Sequence, residues 1–202
     1  VTEGATRRPG TAVPDVTAPG LDAIFVGINP GRVSARAAHN FANPSNGFWR
    51  LAHESGFLPR RLAPEEEGEL VAHGLGLTNL VDRVTAGAAD LGPEELERGR
   101  ATLAARLEVL APRAIVFVGV TAYRAFAREK GPIACGERPP FAGARVFVVP
   151  SPSGRNAHFR YEEQLAIWRD VARALGRTAT AAPPSRSASP GRASRRRPPA
   201  GP

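Results

Sequence analysis

The stretch Ile24 to Gly31, IFVGINPG, carries an apolar run straight into Asn29-Pro30-Gly31. A carboxamide takes no proton at neutral pH, so Asn29 can orient a water or read a polar ligand but cannot serve as a general base. Pro30 removes a backbone donor and Gly31 is free to take positive φ, a pairing that ends a strand and shapes a tight loop. A second stretch, Pro150-Ser151-Pro152-Ser153-Gly154-Arg155-Asn156, joins turn formers, hydroxyls and one cation. Hydroxyls and backbone N–H groups ahead of a helix suit phosphate. Taken singly, each stretch is a weak signal. The other reactive residue types offer less. His39, His53, His73 and His158 are too scattered for a metal site, and the one cysteine, Cys135, has no partner for a disulfide, a zinc site or an iron–sulfur cluster. No metal and no cofactor is expected. Asp15 and Asp22 precede the first apolar run and are not expected to reach its far end, and Asp82 is expected to pair with Arg83 or another cation.

The elements that must hold these loops follow from apolar periodicity. Asp22 to Ile28, Gly76 to Val81, Ala114 to Gly119 and Arg145 to Pro150 read as four strands, short and nearly continuous in apolar character, as strands buried on both faces are. Between them lie helical patterns over Phe48 to Glu54, Glu65 to Ala72, Pro93 to Leu110, Thr121 to Glu129 and His158 to Leu175. Alternating strands and helices predict an α/β fold, a three-layer α/β/α sandwich around a central, mainly parallel four-stranded sheet. Parallel strands would open GINPG and PSPSGRN on the same sheet edge, the one where ligands bind in open α/β sheets.

The chain has 202 residues and a formal charge of +8. Residues 1–18 read as a flexible N-terminal arm, 19–176 as one domain, and 177–202 as a disordered basic tail rich in Pro, Ala, Ser and Arg. Six arginines and no acid from Arg177 onward account for most of the net charge. Such a tail raises phosphate affinity without reading sequence, and its deletion is expected to weaken binding to a nucleic acid and flatten its salt dependence. No run of about 18 apolar residues exists, so no membrane partner is expected. A cytoplasmic protein is expected, nucleoid-associated if bacterial, because an apolar leader is missing and there is one cysteine.

Together, GINPG near one end and PSPSG near the other resemble motifs one and two of the mismatch-specific uracil/thymine-DNA glycosylases, one branch of the uracil-DNA glycosylase superfamily. The resemblance extends to Asn43 to Trp49 (NPSNGFW), to Leu77 to Arg83 (LTNLVDR) and to Ala111-Pro112-Arg113-Ala114 with Val118-Gly119, and so covers about Leu21 to Leu175. It implies that Asn29 holds the attacking water beside the sugar C1′. Ile28, Pro30 and Gly31 would shape the base pocket, with Ser34 affecting its form. Phe41 would stack on the flipped base and Asn79 contact it. Ser151 occupies a motif-two position that is serine in the thymine-active branch. Ser153 and Gly154 would touch phosphate, and Arg155 would fill the hole in the base stack, with Asn156 beside it. His39-Asn40 fits neither branch.

The implied activity is that of a monofunctional DNA glycosylase of base excision repair. It would flip the nucleotide out of double-stranded DNA and hydrolyse the N-glycosidic bond of uracil mispaired with guanine, with thymine and etheno-cytosine as further candidates. The expected partner is duplex DNA with a G·U or G·T mismatch, and a monomer is expected. A catalytically silent DNA-binding module of the same fold and a nucleotide or phosphate-ester hydrolase are the alternatives. The last would normally need a lysine, a nucleophilic cysteine or metal-binding acids near Asn29, where none lies.

Overall fold

Every residue of β1 (Ala23–Gly27), β2 (Leu75–Asn79) and β3 (Ala114–Val118) is buried, as strands with covered faces on both sides require. The computed structural model describes residues 13–154 and 158–177. Its sheet runs β2-β1-β3-β5-β4, with β5 spanning Ala144–Val149 and β4 Gly136–Phe141. The neighbours β2-β1, β1-β3 and β3-β5 are parallel, and β4 is antiparallel to β5. The sheet therefore has five strands, not the four expected. The missed strand, GERPPF, alternates half-buried and exposed residues and carries two prolines, a composition tolerated only at a sheet edge.

Side chains alternate between two cores. Phe25 faces α2 (Phe48–Glu54) and α5 (Tyr161–Ala174), packing on Phe48, Phe57 and Trp168 at ring distances of 5.4, 4.9 and 5.7 Å. Ile24 and Val26 face the other way, toward Leu103 and Leu107 of α3 (Pro93–Leu110) and Tyr123 and Phe126 of α4 (Val120–Ala127). The three-layer sandwich is thus as expected. Pro93 and two glutamates open α3, and Ala111 in the left-handed region followed by Pro112 closes it.

Three local expectations change. The segment expected as a helix over Glu65 to Ala72 is a 3₁₀ run, Pro64–His73, whose Glu66 carboxylate accepts from the Ala63 N–H at 2.7 Å. A short helix α1 (Arg32–Ala37) follows GINPG unannounced by any apolar stripe. Residues 13–18, read as the end of a flexible arm, are packed: Val13, Asp15, Val16 and Thr17 are buried, and Val16 bridges Leu77 antiparallel. Asp15 there accepts from the Thr78 hydroxyl at 2.9 Å and pairs with Arg106 at 2.8 Å. Arg177, read as the first tail residue, is also tied in, bonding Asp22 at 3.0 Å and the His73 carbonyl at 2.7 Å. The rest of the tail lies outside the described residues.

Candidate active site

The sheet order places β1 between β2 and β3, so the chain leaves β1 toward one side while β3 lies on the other. Such a switch point opens a crevice at the carboxyl ends of the strands. A cleft of about 870 Å³ lies there, within the range of sites that take a small molecule or nucleotide. Its walls come from the loops after all four parallel strands: 27–34 after β1, Asn79 and 85–88 after β2, 118–122 after β3, and 150–153 after β5.

Asn29 is half-buried at this edge. Its Nδ2 donates to the Arg83 carbonyl at 2.9 Å, to Thr85 Oγ1 at 2.8 Å and, more weakly, to the Pro30 carbonyl at 3.2 Å. A backbone carbonyl can only accept, which fixes which end of the amide is nitrogen. The Thr85 hydroxyl spends its own hydrogen on the Gly87 carbonyl at 2.7 Å and so offers Asn29 a lone pair. With the nitrogen held by loop 83–87, the Asn29 carbonyl oxygen is the end left to accept from a water. The two loops are further joined by a parallel bridge between Gly31 and Thr85. Gly31 itself sits at φ −79° as the residue before α1, so the left-handed freedom expected of it is not used.

Phe41 takes the left-handed region at φ 53°, a strained conformation for an aromatic residue. One ring face lies on Phe48 at 4.1 Å with the planes 7° apart, and the half-buried ring also lines the cleft. Ser34, buried, accepts from the Ala42 N–H at 3.2 Å and so braces the turn that carries Phe41. Asn79 is paired in register with Gly27, and a Cβ at position 27 would lie 2.5 Å from Asn79 Oδ1, so any larger residue there would displace the Asn79 amide.

The β5 loop closes the other side. Gly119, at φ 103°, lies so near it that a Cβ would meet Ser151 Cβ at 3.2 Å, and the Gly47 N–H bonds the Pro152 carbonyl at 2.9 Å. Ile28, Asn29, Pro30, Gly31, Ser34, Phe41, Asn79, Ser151 and Ser153 are thereby gathered around one cleft. Gly154 lies beside Ser45 at its margin without lining it. Arg155 and Asn156 fall outside the described residues. Arg83 pairs with Glu95 at 2.6 Å, which holds the very loop whose carbonyl anchors Asn29.

Sequence reasoning did not find Thr85, Gly27 or the cations Arg32 and Arg36, all in the cleft wall. The two arginines, four apart directly after GINPG, were a readable signal, since such spacing puts them on one helix face. Among the described residues the lining holds no Asp, Glu, Lys or Cys; its charge is cationic, from Arg32, Arg36 and Arg124. Lysine, a nucleophilic cysteine and metal-binding acids are the residue types on which the phosphate-ester alternative would normally rely.

A model of the uracil DNA glycosylase superfamily matches residues 14–172. A candidate uracil DNA glycosylase from Methanosarcina acetivorans, solved by solution NMR, is similar in structure, with a TM-score of 0.58 and 26% sequence identity over 81% of this chain and 96% of that one. Among the described residues, no helix is long and apolar enough to cross a membrane.

Proposed function

This chain belongs to the uracil DNA glycosylase superfamily, and from that premise we propose that it is a mismatch-directed, monofunctional glycosylase that removes uracil opposite guanine from duplex DNA. The carrying observation is the Asn29 amide, locked through its nitrogen by Arg83 and Thr85 so that its oxygen is free for a water. Bond cleavage builds positive charge on the sugar and negative charge on the base. With no carboxylate among the described lining residues to take a proton early, departure of the base leads and water is captured late. Asn29 holds that water at the sugar carbon, and Phe41 presents a stacking surface to the extruded base. Asn79 meets the base edge. Ser151 belongs to the base pocket, Ser153 and Gly154 serve the neighbouring backbone, and Arg155 with Asn156 occupies the vacated place in the helix. Flipping costs a few kcal/mol and less at a mismatch, which favours G·U and G·T over paired bases before any contact forms. Acting alone on duplex DNA, a monomer suffices.

Single-turnover release of uracil, thymine and etheno-cytosine from duplexes with guanine opposite tests this reading. Uracil is expected fastest. Asn29→Ala is expected to lower release by about a hundredfold or more while leaving binding to the mismatched duplex in place. No release from any duplex by the unaltered protein, or full release by Asn29→Ala, would overturn it.

A further inference from the structure

Behind Asn79 lies a buried polar chain that no step above uses. Asn40, Glu67 and Asn79 are 4%, 5% and 7% exposed. Glu67 Oε2 accepts from the Asn40 N–H at 2.8 Å and from Asn40 Nδ2 at 3.0 Å, and its Oε1 meets His39 Nδ1 at 3.0 Å. The second hydrogen on Asn40 Nδ2 goes to the Pro14 carbonyl at 3.0 Å. Both acceptors lack a hydrogen to give, so the Asn40 amide has one possible orientation. Its oxygen then faces Asn79 and must receive a hydrogen, which it does from Asn79 Nδ2 at 3.2 Å. Rotating the Asn79 amide by half a turn would set oxygen against oxygen in a buried place. The orientation of Asn79 is therefore dictated from Glu67 and Pro14, through Asn40. Asn79 Oδ1 comes to rest over Gly27, where the tip of the Phe41 ring also converges.

We propose that Asn40 and Glu67 are positioning residues that fix the Asn79 carboxamide in the one orientation that accepts the N3–H of uracil and refuses cytosine. The inference rests on uracil being the base that the cleft takes. Uracil carries a hydrogen at N3 beside a carbonyl oxygen. Cytosine carries a lone pair at N3 beside an amino group. A freely turning carboxamide satisfies either by rotating, because one end donates and the other accepts. A held carboxamide satisfies one and leaves lone pairs opposed with the other, and an unpaired buried polar group is penalised far more than an unmade exposed one.

The test measures binding of the full-length protein to duplexes carrying 2′-fluoro-2′-deoxyuridine or 2′-fluoro-2′-deoxycytidine opposite guanine, in which the fluorine slows cleavage. The readout is the ratio of the two affinities, with thermal midpoints measured alongside. Asn40→Ala is expected to lower the uracil-to-cytosine ratio by about tenfold or more, since nothing then holds the Asn79 amide. Glu67→Ala leaves Pro14 as the remaining guide and is expected to lower it less. Glu67→Gln, whose carbonyl can still accept both Asn40 hydrogens, is expected to keep the ratio near that of the unaltered protein. If the ratio stays constant across variants, or follows their thermal midpoints instead of this order, the positioning role is overturned. If the unaltered protein shows no uracil preference, the underlying base assignment falls, and the inference with it.

Discussion

Among the described residues, two arginines at the cleft rim contrast with a set of acid-paired arginines elsewhere on the surface. Arg32 and Arg36 line the cleft, are exposed and meet no carboxylate among the described residues. On flanks outside the cleft lining, Arg145 lies 2.8 Å from Glu137, Arg138 lies 2.5 Å from Glu129, and Arg128 pairs with Glu97, which Arg100 also meets at 2.9 Å. Arg60 reaches both Glu66 and Glu69, at 3.0 and 2.8 Å. Paired cations present little net field to a polyanion, and exposed pairs contribute little to stability. Cations without acids around them, at the mouth of a concave site, concentrate potential there. The difference suggests where charge is reserved for a ligand and where it serves the surface of the fold.

The largest effect that can break this comparison is on DNA binding. Replacing Arg32 and Arg36 together by Gln is expected to weaken duplex binding by about tenfold or more at low salt and to reduce the slope of log affinity against log salt by about 2, one per phosphate neutralised. The same change at Arg128 and Arg145 is expected to leave the slope unaltered. Fluorescence anisotropy titrations from 50 to 200 mM salt, about the range over which such contacts fade, distinguish them. Equal slopes for both double variants would show that the rim is no different from the flank.

That contrast was only partly visible in the sequence, for reasons that differ by residue. β1, β3 and β5 read correctly because strands covered on both faces are written as uninterrupted apolar runs. β4 did not, since an edge strand with two prolines obeys no such pattern. Asn29, Phe41, Asn79 and Ser151 were found through collinear motifs, and the structure gathers them around one cleft. Thr85 was invisible because its meaning comes from an amide 56 residues away. The packing of Val13 to Thr17 was hidden for a similar reason: it depends on pairing with β2 and on Arg106, neither of which leaves a local mark.

A smaller effect sharpens the chemistry of the cleft itself. Thr85→Val keeps the shape of the side chain and removes the hydroxyl that accepts from Asn29 and donates to Gly87. The Arg83 carbonyl still holds the Asn29 nitrogen, so the amide is loosened and not released. Loss of one hydrogen bond of about 1 kcal/mol predicts uracil release slowed by roughly fivefold with duplex affinity unchanged. Single-turnover rates at saturating protein separate the two. A rate equal to that of the unaltered protein would mean that the Arg83 and Pro30 carbonyls suffice to orient Asn29.

The smallest effect lies on the flank, where a polar cluster serves the fold and leaves the chemistry alone. Tyr161, which does not line the cleft, donates its hydroxyl to Glu54 at 2.8 Å, and Arg50 lies 3.9 Å above its ring while bonding Glu54 at 2.7 Å. Burial, followed by the bond to Glu54, pushes the Tyr161 phenol well above its ordinary range. Burial alone would raise Glu54 as well, but bonds from Arg50 and Tyr161 outweigh it and hold the carboxyl below its usual value. The native state keeps the phenol proton at a pH where the unfolded chain, with a tyrosine pKa of about 10, has released it. The stabilisation from Tyr161 is thus fully present below about pH 10 and declines as pH rises beyond it. Glu54 runs the other way: its share is present above the unfolded carboxylate pKa, about 4.3, and is lost as the pH falls through the lowered native value. Tyr161→Phe is expected to lower stability at pH 7 by about 1 kcal/mol and to remove its share of the alkaline decline, as read by urea unfolding from pH 7 to about 11. Uracil release at pH 8 should not change, because the hydroxyl reaches Glu54 on α2 and no cleft side chain depends on it. A Tyr161→Phe protein of unaltered stability but slowed release would place this cluster with the cleft and dissolve the division between the two regions.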